Sequence, residues 1–524
     1  MHSSTFRERQ QSKQFQSSNN YEMSFLKKNL LSIMIKLLYS ILFLLLFPNV
    51  LLSQNQDKLW MMGYDCCGPN FSGINMDFRS GSLVVGPVVR HFNFAETNGQ
   101  ICDSAGNILF CSNGIYVANT LFDTMLNGSG LNPSDYTTAH ELRGLHIPQA
   151  NLILPIPGDP NKYYLFHETS DDRFNTYATF YLYYSIIDMT LDGGLGGVIQ
   201  KNTVLLHDSL VEGELIACKH ANGRDWWLFS HKFESDTFYK FLVTPTAIQG
   251  PWIDETGFWR TNYFGQTVFS PDGSKFVYFE AMNGLDIWDF DRCTGSLNNL
   301  IHIPFNDSIA AGGAAFSRSG RYLYVSAVYK LYQLDLLSTN IAASLDTIAI
   351  YDGFSSGGLP TVFYQLQLAP DDKIYSNSTS SVLDYHVINF PDSAGLACNI
   401  QQHSIHLPGY SVSLPNHPNY FLGAEHGSIC DSLTSDVPFI SSSLELFTFF
   451  PNPVKNLLYI NQSKNEIIIT VKIFNSLGQL QKVEYSSFKN GEYIEVNTNS
   501  LKAGFYFLEM QTNKQKVVKR FVKV

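Results

Sequence analysis

One short pattern recurs along the middle of this chain and constrains its fold more than any other feature. Phe269 to Glu280 reads FSPDGSKFVYFE, a strand end, a Pro-Asp-Gly turn and then an apolar, aromatic strand. Pro271 presets φ, Asp272 bonds its own backbone, and Gly273 accepts the positive φ that closes the turn. The pattern returns as FSRSGRYLYVSA from Phe316 and LAPDDKIYSN from Leu368, with looser copies beginning at Cys102, Leu154, Cys218 and Leu414. The turns at Gly106, Gly158, Gly223, Gly273, Gly320, Asp372 and Asn416 lie 52, 65, 50, 47, 52 and 44 residues apart. A period in that range points to four-stranded propeller blades. The expected fold is all-β: a seven-bladed β-propeller followed by a small C-terminal β-sandwich.

Composition agrees. Charged residues make up 15% of the 524, against about 25% in average soluble proteins, while aromatics reach 14%. The net charge of −11 offers no basic face to phosphate, so nucleic acid is excluded as a partner.

Residues 1–53 read as an N-terminal extension and signal peptide. Lys27, Lys28 and Lys36 precede an apolar run from Leu37 that Pro48 breaks, and Met23 is the expected start of translation. Residues 54–427 form the propeller, with the segment from Leu59 to Val89 supplying a closing strand to the ring. Residues 428–444 are small and polar, a linker. Residues 445–524 hold seven short alternating strands, the pattern of a small sandwich.

Eight cysteines occur without the paired spacing of a zinc site. Cys102 and Cys111 flank one hairpin turn, and Cys398 and Cys430 bracket the last blade. Both pairs are disulfide candidates in an exported chain, the alternative being small buried hydrophobes. Cys66 and Cys67 are adjacent, which makes a mutual bridge awkward.

The stretches that approach catalytic or metal-binding motifs read as structure. Gly353-Phe354-Ser355-Ser356-Gly357 matches a nucleophile elbow but lacks the strand-turn-helix context that elbow needs. Asp286, Asp289 and Asp291 lack the glycine bend and distal glutamate of a calcium loop. His140-Glu141 and His167-Glu168 are followed by the wrong residues for a zinc helix, and His403 and His406 lack a third ligand. Trp226, Trp227, Trp252, Trp259 and Trp288 suit either blade packing or stacking on sugars. No catalytic residue, metal ligand or cofactor site is assigned, and the chain is expected not to be an enzyme.

The last domain resembles the type A C-terminal sorting domain of the type IX secretion system of the Bacteroidetes. The carriers are Phe450-Pro451-Asn452-Pro453, Ile473-Phe474-Asn475-Ser476-Leu477-Gly478-Gln479, Leu501-Lys502-Ala503-Gly504-Phe505-Tyr506 and the closing Lys519-Arg520-Phe521-Val522-Lys523-Val524. Within them Pro451, Asn452, Pro453, Gly478, Gly504 and Tyr506 are the sorting-motif residues. The resemblance implies passage through the type IX translocon, cleavage by a sortase, and attachment to surface lipopolysaccharide or release. The propeller part also resembles exported Bacteroidetes proteins with WD-like repeats, on Cys102-Asp103-Ser104-Ala105-Gly106-Asn107 and Lys219-His220-Ala221-Asn222-Gly223 among others. The expected function is that of an exported cell-surface or secreted binding, adhesion or scaffold module. Its glycan or protein ligand would sit on one propeller face. The alternative is a glycan-active hydrolase or lyase with carboxylates at the central funnel, which two converging acidic side chains would favour.

Overall fold

The computed structural model describes residues 55–64, 71–170, 178–260, 265–305, 311–431, 447–462, 468–475, 479–487, 493–512 and 516–524. The signal peptide, the start at Met23, Cys66-Cys67, Gly478 and most of the linker fall outside them. The chain divides into two compact units, Met1–Leu433 and Thr434–Val524.

The first unit is all-β and propeller-like. Four separate four-stranded antiparallel sheets follow one another between residues 216 and 411, each a meander of consecutive strands. Before them, an eight-stranded sheet spans 99–211 as two such meanders joined by one parallel pair, Gly197 with Leu126. A three-stranded sheet, Leu59–Gly63, Gly73–Asp77 and Val84–Val88, opens the unit. It lies against the last meander: the Ser72 hydroxyl donates to Pro408 O, and Tyr64 and Ser381 share a hydrogen bond of 3.0 Å.

The recurring turns form for local reasons. Gly273 N–H donates to Ser270 O, and the Asp272 carboxylate accepts from Ser270 and from the Ser274 amide. Gly273 holds φ +73, and an added Cβ would stand 2.7 Å from the Leu422 side chain and 2.8 Å from that of Arg292, so both backbone and space require glycine there. The strands that follow are buried on both faces, as in Lys275–Glu280 and Tyr322–Ala327, because each sheet packs against two neighbours. Trp226 and Trp288 are among the largest fully buried side chains.

The seventh copy of the pattern behaves differently. Residues from Leu414 make no hairpin; they run between the innermost strands of the ring. Asn416 donates its backbone N–H to Asn98 O and its side-chain amide to Asn151 O and Leu215 O. The Gln149 amide donates to the Asn416 side-chain oxygen. Further along, Tyr420 donates to Ile153 O, Asn419 to Pro271 O, and Glu425 N–H to Ala221 O. This stretch meets the backbone at or beside four inner strands, those beginning at Gly99, Asn151, Ile216 and Gln266, so amides replace the apolar residues of a true blade strand.

The cysteines depart from expectation. Cys430 bridges to Cys293, with Cα atoms 5.5 Å apart and a separation of 137 positions in sequence. Cys102, Cys111 and Cys398 are buried free thiols. The register explains the first two: Cys111 stands opposite Gln100, and Cys102 opposite Ile108. They are not cross-strand partners.

The second unit has two four-stranded antiparallel sheets, built on Phe447–Phe450, Leu457–Gln462, Tyr493–Asn497 and Glu484–Ser487 and on Leu480–Gln481, Ile468–Asn475, Gly504–Thr512 and Lys516–Lys523. Leu458, Ile460, Ile473, Val496, Leu508, Met510 and Phe521 share one buried core drawn from both sheets.

Candidate functional site

In each meander the innermost strand begins where the second strand ends. Asn151 thus faces His167, Ile216 faces Phe229, Gln266 faces Phe279 and Leu366 faces Ser376. Residues just before the first member or just after the second therefore collect at one end of the axis. Glu168, Glu214, Glu280 and Tyr364 occupy such positions, and Glu96 precedes the strand Gly99–Cys102.

Glu168 is fully buried. One carboxyl oxygen accepts from the Gly213 N–H, and the other, Oε2, has no hydrogen-bond partner among the described residues. Glu214, next to Gly213, is hydrogen-bonded to Tyr278, and its Oε2 is likewise unpartnered. A Cβ at Gly265 would stand 2.7 Å from Glu214 Oε1 and 2.4 Å from Phe279 O, so the carboxyl lies over space that glycine leaves open. Beyond it, Arg260 is 1% exposed, lies 2.9 Å from Asp286 and 3.6 Å from Glu280, and has its guanidinium 4.2 Å from the Tyr278 ring centre. Asp286 also meets His302 at 2.6 Å. This flank is closed by charge pairing, whereas the Glu168–Glu214 side is not.

The electrostatics follow from burial. Desolvation pushes the Glu168 and Glu214 carboxyls well above their ordinary range; the Gly213 N–H opposes this at Glu168, where Glu212 and Glu214 add repulsion. Burial alone raises Glu96 to about 8. His146, 4.0 Å away, is itself held down by burial and by the charges of His140 and Arg143. Burial thus favours the protonated form of each of these acids, which can donate as well as accept.

The motifs singled out in the sequence lie elsewhere. Ser355, the nucleophile position of the elbow-like pattern, is exposed on a two-residue strand opposite Pro360, while its neighbour Ser356 donates to Asp384 at 2.6 Å and His406 meets the same carboxylate at 2.8 Å. His403 pairs with Asp352 at 2.9 Å, away from His406's partner. Trp226, Trp227 and Trp288 are buried, while Trp252 and Trp259 are about half exposed on the outer strand Ile248–Arg260. In the second unit, Asn452 accepts from Val522 N–H at 2.9 Å and Val454 N–H donates to Val522 O, fixing Pro451-Asn452-Pro453 beside the final strand. Gly504 pairs with Lys523, and Tyr506 stacks on Phe521 and donates to Lys502 O.

Sequence reasoning passed over the acid group. Glu280 closes the very pattern that defined the fold, and Glu168 was set aside with its histidine as a failed zinc motif. Superposing the repeats at their second-strand ends would have shown acids at two of them.

Residues 448–524 match the family described as the secretion system C-terminal sorting domain. The tail is an export address. This sorting domain belongs to type IX secretion and implies delivery to the cell surface or the extracellular space. No curated protein matches the chain. Among solved structures, the chain is similar to a protein assigned as a 6-phosphogluconolactonase from Bacteroides fragilis, at 11% identity and TM-score 0.40 over 69% of this chain and 98% of that one. It is also similar to a gluconolactonase from Xanthomonas campestris (10%, TM-score 0.30, 61% and 94%) and to the Dos1 propeller (12%, TM-score 0.34, 62% and 91%). With two sugar lactonases named among these similar structures, the expectation that the chain is not an enzyme is withdrawn. A ring of sheets builds a site from strand ends some fifty residues apart, so the absence of a local motif carries no weight against catalysis.

Proposed function

We propose that this is an exported, seven-bladed, WD-like propeller that recognises a ligand at the Glu168–Glu214 end of its axis. The observation that carries this reading is the pair of buried carboxyl groups, each with one oxygen unpartnered. Buried polar atoms in folded chains are almost always satisfied, and those that are not ask for a partner from outside. The seven-blade count takes the strands of 59–88 as the first blade, closed by the axial segment after Leu414, and divides the eight-stranded sheet into two. In this reading residues 1–53 are removed as a signal peptide, 54–427 are the propeller and 428–444 a linker. Residues 445–524 are a sandwich that is cleaved by the sortase, leaving the propeller on lipopolysaccharide or free outside a Bacteroidetes-type cell.

Glycan and protein binding arrays, run with wild type and with Glu168→Gln/Glu214→Gln, test the recognition role. A ligand bound by wild type and lost by the double variant is the expected result; equal binding by both would refute it. Mass spectrometry of the mature termini tests the processing, with a start near Gln54 and an end upstream of Phe447 expected.

The raised carboxyls also favour a second reading, acid catalysis on a glycan, since a carboxylic acid kept protonated at neutral pH is a proton donor. Turnover of a glycan panel that Glu214→Gln abolishes would support it.

A further inference from the structure

The chemistry of the acid end narrows what can occupy it. Glu168 and Glu214 belong to adjacent sheets and are joined through Gly213, whose N–H is held by Glu168. Both are more than nine-tenths buried, and their unmet oxygens are Glu168 Oε2 and Glu214 Oε2. The basic groups beside them are already engaged or neutral. Arg260 is held by Asp286 and Glu280, and His146, the neighbour of Glu96, is kept uncharged by burial. The phenols of Tyr278 and Tyr364 are buried and contribute aromatic surface. Glu96 and His146, with side chains 19% and 38% exposed, form the solvent edge of the group.

We propose that the Glu168–Glu214 end of the axis binds a primary ammonium group. This rests on reading that end as a ligand site and names the chemistry of the ligand. An ammonium brings three donors and no acceptor, which suits a place whose unmet groups are acceptors. It also supplies the positive charge that lets one of the two carboxyls ionise in a buried setting while the other keeps its proton, and aromatic rings beside carboxylates favour organic cations further. A bare metal ion is the poorer match. Among the described residues no three His, Cys, Asp or Glu side chains stand in a metal-holding arrangement. The surplus of acids over bases in the chain, 46 against 35, draws cations toward it in general.

The test is titration calorimetry of the full chain at neutral pH with matched probes that differ only in the group of interest: pentylamine against 1-pentanol, and glucosamine against glucose. Each amine is expected to bind at least tenfold more tightly than its alcohol. Glu168→Gln and Glu214→Gln, each nearly isosteric and checked for folding by its melting curve, are expected to weaken the amine tenfold or more. Having two independent variants keeps the test decisive if one fails to fold. Equal binding of glucose and glucosamine, lost in the variants, would overturn the ammonium chemistry while leaving the ligand site standing. Binding of neither probe pair, or amine binding unchanged by either variant, would overturn the proposal, and the arrays described above would then decide separately whether any ligand site remains.

Discussion

Two groups of buried polar residues lie side by side in the first unit, the axial segment and the acid cluster, and they differ in how many hydrogen bonds their side chains make. Asn416 and Gln149, level with Glu214 at the inner-strand starts, and Tyr420 and Asn419 further along, join the axial segment to the strands around it, although Asn151 Oδ1 and His417 Nδ1 find no partner among the described residues. Arg292 extends this order to Lys219 O and Gly423 O, close to the Cys293–Cys430 bridge. A cavity of about 70 Å³ is lined by Gln149, Asn416 and inner-strand residues such as Ile216. Beside Asn416, whose amide bonds Leu215 O, the Glu168 and Glu214 carboxyls each keep one oxygen without a partner among the described residues. A polar group that is buried and bonded holds a fold together; one that is buried and unbonded weakens it, and its persistence points to use.

The comparison can be broken most severely where the acid end is paired. Removing Arg260 as Arg260→Met leaves Asp286 and Glu280 buried without their cation, and a loss of about 3–5 kcal/mol is expected in urea unfolding of the first unit. A loss below 1 kcal/mol would mean that the flank is solvated.

Next comes the tether of the axial segment. Cys293→Ser opens a loop closed over 137 residues, for which about 2–5 kcal/mol is expected. The same fall should appear in wild type under reductant, and neither should change if the axial segment is held by its amides alone.

Asn416→Ala removes bonds to Asn151 O, Leu215 O and Gln149 at once and strands buried partners, at about 2–3 kcal/mol. Glu96→Gln should have the smallest effect and sharpens the contrast through pH. Folded Glu96 holds its proton to about 8, against an ordinary 4.5, so the folded chain retains a proton that the unfolded chain has released. Its contribution is full below 4.5 and is lost as pH rises through 8. The variant should therefore flatten the decline of melting temperature across that window and change nothing below it.

These contrasts also explain what the sequence could disclose. Pro271-Asp272-Gly273 encodes its turn within a few residues, and the copies at Gly320 and Asp372 do the same, so the repeat and the all-β class were legible. Leu414 onward looked like one more copy because the pattern is local, while its path through the ring depends on Asn98, Asn151 and Leu215, which lie far away in sequence. The Cys293 partner of Cys430 was hidden for the same reason. Glu168, Glu214 and Glu280 come from three different sheets, and no spacing rule joins them before the ring is closed.

The central claim, that the acid end is a ligand site and not part of the scaffold, is tested most directly by the melting temperature of Glu168→Gln/Glu214→Gln against wild type at pH 8 and at pH 4. If the claim holds, the double variant melts higher than wild type at pH 8 and matches it at pH 4, because two carboxyls that favour their protons when folded and release them on unfolding have been replaced by neutral amides with no structural bond lost. A double variant that melts several degrees lower at both pH values would contradict it and place Glu168 and Glu214 with Asn416 among the groups that hold the ring together.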